Sequence, residues 1–340
     1  MSLLSRLVNA PAPSGFEERV REIIFEELEE MGFEPVVDSL GNVYVILGDG
    51  RPLMVIAAHM DEVGFVVRHI DEKGFLRVAP LGGVSPEVAL GKEVIVMGAK
   101  EDVFGVFGAQ PPHGKGSAQV PLAFEDLFID IGASSREEAH AMGVNVGTPV
   151  SFVGNYREAG GRVIGKALDD RVGCYALLEA LRNAKAVEEG SVAVAFTVQE
   201  EVGLRGASVL AHELEPNYAI AVEGTIANDI PGVPEDRSIT VTGKGPAIRV
   251  VDRGIIASTR LVSHIRQLAE ERSIPYQLQV SPYSATDSGS FITRGAETSA
   301  ISVPVRYIHT PASVAFKKDI DLAVQLLRLI IENPWPTEER

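Results

Sequence analysis

Histidine and carboxylate residues stand at the ends of short apolar segments that lie far apart along this chain. Glu200 and Glu201 directly follow the valine- and alanine-rich residues 192–198, which predict a buried strand. An unpaired buried carboxylate is very costly, so two of them at the mouth of such a strand require a metal, another cation or solvent nearby. Taken alone, the pair fits a solvated strand end equally well.

Three other predicted strands end in residues of the same kinds. The apolar residues 53–58, 218–222 and 300–305 lead into His59, Glu223 and His309, respectively. In open α/β sheets, side chains beyond the carboxyl ends of the strands meet at one site even when they are distant in sequence. Each residue alone would fit a structural role, such as a hydrogen-bonded core histidine. Their joint placement predicts convergence.

Three aspartates complete this set. Asp61 lies two residues after His59, on the same side of an extended chain, where a carboxylate commonly orients a metal-binding imidazole. Asp169 and Asp170 stand at the start of a predicted helix, where they could bind metal or cap the helix. Two histidines with several carboxylates favour zinc, cobalt or manganese. The ligands exceed the needs of one tetrahedral ion and suit two ions, about 3.5–4 Å apart, with one bridging aspartate and an activated water.

The elements that position these residues predict two kinds of structure. Outside a central insert, strands alternate with amphipathic helices, such as the one expected at 16–31 with Ser14 as its cap. Between about 71 and 163, short Val, Ile and Phe runs are interrupted every few residues by Gly or Pro, which is typical of a small β-barrel. We therefore expect a discontinuous α/β domain, residues 1–70 and 164–340, with the barrel inserted.

Composition excludes several classes of partner. The net charge is −16, from 31 basic and 47 acidic residues, and no Lys/Arg cluster offers a footprint for nucleic acid or an anionic membrane. The single cysteine, Cys174, cannot form an intramolecular disulfide and fits a reducing, cytoplasmic setting. We expect no signal peptide and no membrane span, because no apolar stretch has the required length.

Six motifs together resemble the M42 family of metallo-aminopeptidases, which includes glutamyl and leucyl aminopeptidases of the tetrahedral (TET), self-compartmentalising type. They extend over essentially the whole chain and read AHMDEVGF, ALDDRVG, QEEVGLRGA, VEGT, ATDSG and RYIHTP. The resemblance implies a three-layer α/β/α catalytic domain with a mixed central sheet, and an aminopeptidase that uses two divalent ions, zinc or cobalt in preference to manganese. It also implies short peptides as substrates.

The resemblance also implies a role for each site residue. Asp169 would bridge the two ions, His59 and Glu223 would bind one, Glu201 and His309 the other, Asp61 would lie behind His59, and Glu200 would be the general base. The Asp169–Asp170 peptide bond is expected to be cis. Many relatives have aspartate where this chain has Glu223, which leaves open how that ion is chelated.

For the insert, the resemblance implies a dimerisation domain through which dimers build a hollow tetrahedral dodecamer. We interpret His113, within this insert, as a structural or interface residue rather than a ligand.

Other enzyme classes lack their motifs in this sequence. There is no G-x-S-x-G segment, and His212-Glu213 is not followed by the second histidine of H-E-x-x-H. One alternative is an endoglucanase-like glycoside hydrolase that pairs Glu200 with another carboxylate, but such an enzyme needs no histidine ligands. A second alternative is a non-catalytic peptide-binding or assembly protein. Arg249 or Lys244 could favour acidic N-terminal residues, or could lie on the surface.

Overall fold

The structure is a computed structural model that describes residues 1–109, 122–182 and 184–336. Its helices are α1 (Leu3–Asn9), α2 (Glu18–Glu30), α3 (Pro86–Ala89), α4 (Arg136–Ala141), α5 (Leu168–Arg182), α6 (Arg205–Leu214), α7 (Thr259–Glu271), α8 (Ser288–Ile292) and α9 (Lys317–Glu332). Its strands are β1 (Val36–Val37), β2 (Val43–Gly48), β3 (Leu53–His59), β4 (Gly64–Ile70), β5 (Leu76–Leu81), β6 (Glu93–Met97), β7 (Asp102–Ala109), β8 (Leu127–Asp130), β9 (Pro149–Phe152), β10 (Arg157–Ala159), β11 (Arg162–Gly165), β12 (Ser191–Thr197), β13 (Tyr218–Ile226), β14 (Ala247–Asp252), β15 (Gln277–Ser281), β16 (Glu297–Arg306) and β17 (Ser313–Phe316).

A large mixed sheet forms the centre of the molecule. Its order is β1-β2-β12-β3-β13-β16-β17-β11-β10, while β14 pairs with β16 and carries β15. The central strands β12, β3, β13 and β16 run parallel, whereas β2 and β17 join them antiparallel. All residues of β3 and β12 are buried, as expected for central strands that are covered on both faces.

Alternate residues of the central strands face two separate apolar layers. In β3, Met54 and Ile56 pack towards α1, α2, α5, α7 and α9, and Val55 and Ala57 pack towards α6 and α8. This period of two is what a strand covered on both faces requires. The three-layer α/β/α prediction is thereby confirmed. No helix within residues 1–109, 122–182 and 184–336 has the length and apolar character needed to cross a membrane.

The insert is a closed antiparallel barrel with the order β4-β5-β8-β7-β6-β9. Its core centres on Phe65, whose ring meets those of Phe107 and Phe152 edge-on at centroid distances of 4.8 and 5.4 Å. Such edge-to-face pairs add favourable quadrupole contacts to the burial of apolar area. The closed barrel confirms the prediction of an inserted β-barrel. His113 lies outside the described residues.

The barrel starts and ends several residues earlier than the expected 71 to 163. Residues Gly64–Ile70 form its first strand, and β10 and β11 belong to the main sheet instead. The physical reason is that β4 follows β3 after only a short connection and pairs with β5 and β9, whereas β11 pairs with β17. The strands of the barrel therefore extend from residue 64 to residue 152, and the domain limits of 71 and 163 stay a prediction.

A buried ion pair joins the barrel, the N-terminal segment and the catalytic domain. The Lys166 Nζ atom lies 2.6 and 2.7 Å from the two carboxylate oxygens of Glu62, and both side chains are almost completely buried. Glu62 Oε1 also accepts hydrogen bonds from the Ala12 amide and from the hydroxyl of Ser151 in β9. The Arg171 guanidinium lies further away, at 3.7 Å from Glu62 Oε1. Lys166 is therefore the main counter-charge of Glu62, and its removal would leave much of a buried charge without compensation in a low-dielectric interior.

We expect Lys166→Ala to lower the free energy of unfolding by about 3 kcal/mol, since it leaves the buried Glu62 charge without its main partner. Denaturant unfolding of the purified protein measures this. Lys317→Ala is the control, because the Lys317–Glu158 pair is about half exposed and such pairs contribute little. Equal losses in the two variants would contradict the structural role of the buried pair.

Candidate metal centre

His59 and Asp61 occupy the point where the central strand β3 ends. His59 is its last residue and is 1% exposed, because it is covered by the neighbouring strands and the start of α5. Its Nδ1 atom lies 3.4 Å from Asp61 Oδ1, as the spacing of the two residues predicts. Its Nε2 atom faces Asp169, Glu223 and Glu200, at 3.4, 3.6 and 4.0 Å from their carboxylate oxygens.

Glu200 and Glu201 leave the end of β12 in a tight turn. Gln199 before them has a φ of 56°, in the left-handed region that non-glycine residues rarely adopt. The Glu200 and Glu201 amides donate to the two oxygens of Asp61, at 2.9 and 3.1 Å. Asp61 thus lies behind His59 and also holds the backbone from which both glutamates project.

Glu223 lies within β13, although the sequence places it at a strand end. β13 continues to Ile226 because its pairing with β16 extends that far, whereas its pairing with β3 stops at Val222. The early end of β3 leaves space beside Glu223. Its carboxylate is 5% exposed and points towards His59 across this space.

Asp169 lies between the two histidines. Its Oδ1 is 3.4 Å from His59 Nε2, and its Oδ2 is 3.6 Å from His309 Nε2. The Asp169–Asp170 peptide bond is cis, as expected, and neither residue has helical backbone angles. A Cβ at Gly224 would lie 2.8 Å from the Asp169 Cα, so the glycine permits the close approach of β13.

His309 reaches the site from the loop after β16. Its Nδ1 atom is 2.9 Å from the Gly83 carbonyl oxygen, which can only accept a hydrogen bond. The Nδ1 atom therefore carries the proton in the neutral ring, and Nε2 keeps its lone pair, 3.2 Å from Glu201 Oε1. Gly83 follows β5, so the barrel helps to orient this imidazole.

The site contains more negative charge than its histidines can balance. Burial raises the pKa of Glu200 well above its usual value, and the charge of Glu201 adds to this shift. Burial, followed by the charge of Glu200, likewise raises the pKa of Glu223 well above its usual value. Burial alone would lower the pKa of His309, but the nearby carboxylates of Asp169 and Glu201 stabilise the protonated ring and raise this pKa to about 11. The cluster therefore attracts protons strongly, and a cation could replace those protons.

Both the negative charge of these residues and their unpartnered oxygen atoms suit the binding of divalent cations. Asp169 Oδ1 and Glu201 Oε1 are buried without a hydrogen-bond partner among the described residues. Two groups whose ligand atoms lie within 4.8 Å of one another are His59-Glu200-Glu201 and Asp169-Glu201-His309. A third group of this kind joins His59, Glu223 and Asp170, although Asp170 Oδ2 already accepts from the His59 amide.

The structure adds three polar residues that the sequence did not mark as part of the site. Ser14 does not cap α2 as predicted; its hydroxyl donates to Asp61 Oδ2 at 2.6 Å. Glu17 Oε1 accepts from the Gln199 amide at 3.0 Å. Asp287 is 1% exposed and accepts from the hydroxyl of Thr197 at the end of β12. Only Asp287 carried a sequence signal, the ATDSG motif.

A cavity of about 640 Å³ is lined by five of the candidate residues, Asp169, Glu200, Glu201, Glu223 and His309. Its lining also includes Thr225, Arg249, Arg253, Tyr283 and Ser284. Arg249 is not a surface residue: it is 1% exposed and pairs with Asp252 at 3.3 Å. Lys244 is exposed and does not line the cavity. The cavity is large enough for the end of a peptide next to the carboxylate cluster.

Comparison with known proteins shows the family to which this chain belongs. The sequence model of M42 glutamyl aminopeptidases matches residues 41–326. The lysyl aminopeptidase of Pyrococcus furiosus is 34% identical, over 99% of this chain and 98% of that protein.

Solved structures extend this similarity to the fold. The aminopeptidase APDkam598 of the archaeon Desulfurococcus kamchatkensis is 38% identical with a TM-score of 0.93, over 97% of this chain and 93% of that one. The TET1 peptidase of Pyrococcus horikoshii, which can assemble into a tetrahedron or a large octahedral shell, is 35% identical with a TM-score of 0.88, over 97% and 98% of the two chains. This chain therefore belongs to the M42 family of aminopeptidases, exopeptidases that hydrolyse peptide bonds.

Proposed function

We propose that this aminopeptidase uses two divalent metal ions and a glutamate general base to remove the N-terminal residue of peptides. The observation that carries the proposal is the position of Asp169, whose two oxygens lie 3.4 and 3.6 Å from two different imidazoles. A carboxylate in this position can bridge two ions, each with its own histidine.

The ligands divide into two sets around Asp169. His59 and Glu223 would hold one ion, and Glu201 and His309 the other, since these pairs lie 3.6 and 3.2 Å apart. Asp61 would orient His59 from behind. The mixture of imidazole and carboxylate ligands favours zinc or cobalt, with manganese a third candidate.

Glu200 is the residue that remains for proton transfer. It borders the cavity, and its carboxylate oxygen lies 4.0 Å from His59 Nε2, so it is close to the ligands without being needed as one. Two ions at this site would polarise the scissile carbonyl and lower the pKa of a shared water. Glu200 would take the proton from the attacking water and deliver it to the leaving amine, so that no net proton is consumed on the carboxylate. Neighbouring carboxylates would hold the free α-ammonium group of the peptide, which internal peptide bonds lack.

Hydrolysis of a panel of aminoacyl-p-nitroanilides, with zinc or cobalt added, tests the proposed function and reveals the preferred N-terminal residue. We expect turnover that a chelator abolishes and either metal restores. A glycoside hydrolase that uses Glu200 in an acid/base pair would survive chelation and cleave a β-glucan instead. A non-catalytic peptide-binding protein would hydrolyse no member of the panel.

We expect Glu200→Gln to retain both metals and to lose turnover by several powers of ten, because the amide cannot accept the proton. Metal analysis and steady-state kinetics of the purified variant measure the two effects. His309→Ala is the companion variant and should lose about one of the two ions. Comparable metal loss in the Glu200 variant would contradict its role as a base.

We also propose that the barrel mediates dimerisation, and that dimers assemble into a tetrahedral dodecamer. Phe104 and Val106 alternate along β7 on its outer face and are 69% and 44% exposed. Apolar residues of this size, side by side on a strand, are typical of an interface between proteins. The assembly of the related TET1 peptidase supports the proposal.

Phe104→Asp should shift the protein to smaller assemblies, because it places a charge in the proposed apolar contact. Sedimentation velocity at several protein concentrations measures the change. Phe104→Leu is the matched control, since it keeps an apolar side chain, and it should assemble like the parent protein. An unchanged size of the aspartate variant would exclude this face of β7 from the dimer contact.

We place the enzyme in the cytoplasm. The single cysteine, Cys174, is buried and cannot form an intramolecular disulfide, which suits a reducing compartment.

A further inference from the structure

The backbone amides of the turn that carries Glu200 and Glu201 donate to side chains, while its carbonyls accept from the amides of residues 203–205. Three consecutive amides, those of residues 199–201, donate to carboxylates: the first to Glu17 Oε1 at 3.0 Å, and the next two to Asp61 at 2.9 and 3.1 Å. Backbone amides that are partly shielded from water need an acceptor, and for these three amides side chains supply it. Two acidic residues therefore fix the amide side of the turn.

The N-terminal segment supplies the first of these acceptors and supports the second. Glu17 lies at the start of α2, is 4% exposed, and its Oε1 also accepts from the Gly15 amide at 2.7 Å. Ser14 is equally buried, and its hydroxyl donates to Asp61 Oδ2 at 2.6 Å. Both residues thus act on the same turn, although neither faces the cavity.

The segment itself is fixed to the body of the enzyme. Pro13 forms a parallel bridge with Glu62, whose amide donates to Ala12 O while the Ser14 amide donates to Glu62 O. Residues 12–17 therefore lie alongside the connection between β3 and the barrel. A rigid support of this kind limits the movement of what it holds.

We propose that Glu17, assisted by Ser14, is a positioning residue of the aminopeptidase reaction: it fixes the backbone turn that sets the places of the general base Glu200 and the ligand Glu201. The inference rests on the proposed function of that pair. Displacement of a catalytic group by about 1 Å can cost as much as 100-fold in rate. Glu17 exerts its effect through the Gln199 amide and contacts no substrate.

The test compares Glu17→Ala and Glu17→Gln in the full-length, metal-loaded enzyme. Glu17→Ala removes the acceptor and should lower kcat roughly tenfold or more while KM changes less than about threefold. Glu17→Gln keeps an oxygen in place and should restore kcat to within about threefold. Ser14→Ala, which removes only the support of Asp61, should give a smaller loss of kcat.

Glu27→Ala is the matched control for stability. Glu27 lies on the same helix, is 7% exposed, and pairs with Arg6 and Arg182 away from the turn. This variant should lower the melting temperature but leave kcat close to that of the parent enzyme. Equal loss of kcat in Glu27→Ala and Glu17→Ala would overturn the proposal, as would a glutamine variant no better than the alanine variant.

Hydrogen–deuterium exchange separates this inference from the proposed function. In Glu17→Ala the peptide that covers residues 199–201 should exchange faster than in the parent protein, and in Glu27→Ala it should not. If the parent enzyme hydrolyses no peptide substrate but the exchange differs as expected, the proposed function fails and the positioning role stands. Unchanged exchange and unchanged kcat in Glu17→Ala would refute the positioning role.

Discussion

The concentration of buried negative charge at one end of the sheet is the constraint on which the rest of this structure depends. Glu200, Glu201, Glu223, Asp169 and Asp170 lie within a few ångströms of two imidazoles. Their mutual repulsion and their burial oppose folding, which is visible in the raised pKa values of Glu200 and Glu223. The surrounding fold must therefore be rigid enough to hold them together until cations balance the charge.

The rigidity comes from the connection between the two domains. Asp61 and Glu62 are adjacent, but they bind different parts of the molecule. Asp61 accepts from the amides of Glu200 and Glu201, and Glu62 binds Lys166 and the N-terminal segment. The short connection between β3 and the barrel thus joins the ligand cluster to the main buried ion pair. His309, oriented by the Gly83 carbonyl, makes the barrel part of the same support.

The fold and the convergence of the site were predictable because both follow from periodic patterns. The burial of β3 and β12 on both faces matches their apolar sequences, and the meeting of His59 with Glu223 and Asp169 follows from the end of β3 between its neighbours. The role of each residue stays a prediction that rests on the resemblance and on proximity.

The sequence could not reveal contacts in which a side chain binds distant backbone. Ser14 was expected to cap α2, because a serine before a helix usually does so, but its hydroxyl finds Asp61 instead. Glu17 accepts a hydrogen bond from the backbone amide of Gln199, 182 residues away, and no spacing rule links the two positions. The sequence could not assign β4 to the barrel for a similar reason, since that assignment depends on its partners β5 and β9 and not on its own composition.

The use of glutamate at position 223 agrees with the geometry of the strands around it. Because β13 continues past the end of β3, the Glu223 backbone is paired with β16, where its register partner is Ser302. A longer side chain spans the remaining distance and places its oxygen 3.6 Å from His59 Nε2. An aspartate, which is one methylene shorter, would leave its carboxylate further from His59 unless the strand moved. The length of this residue and the path of β13 are therefore coupled, and in the proposed two-metal site they would determine where the ion shared by His59 and Glu223 lies relative to Asp169.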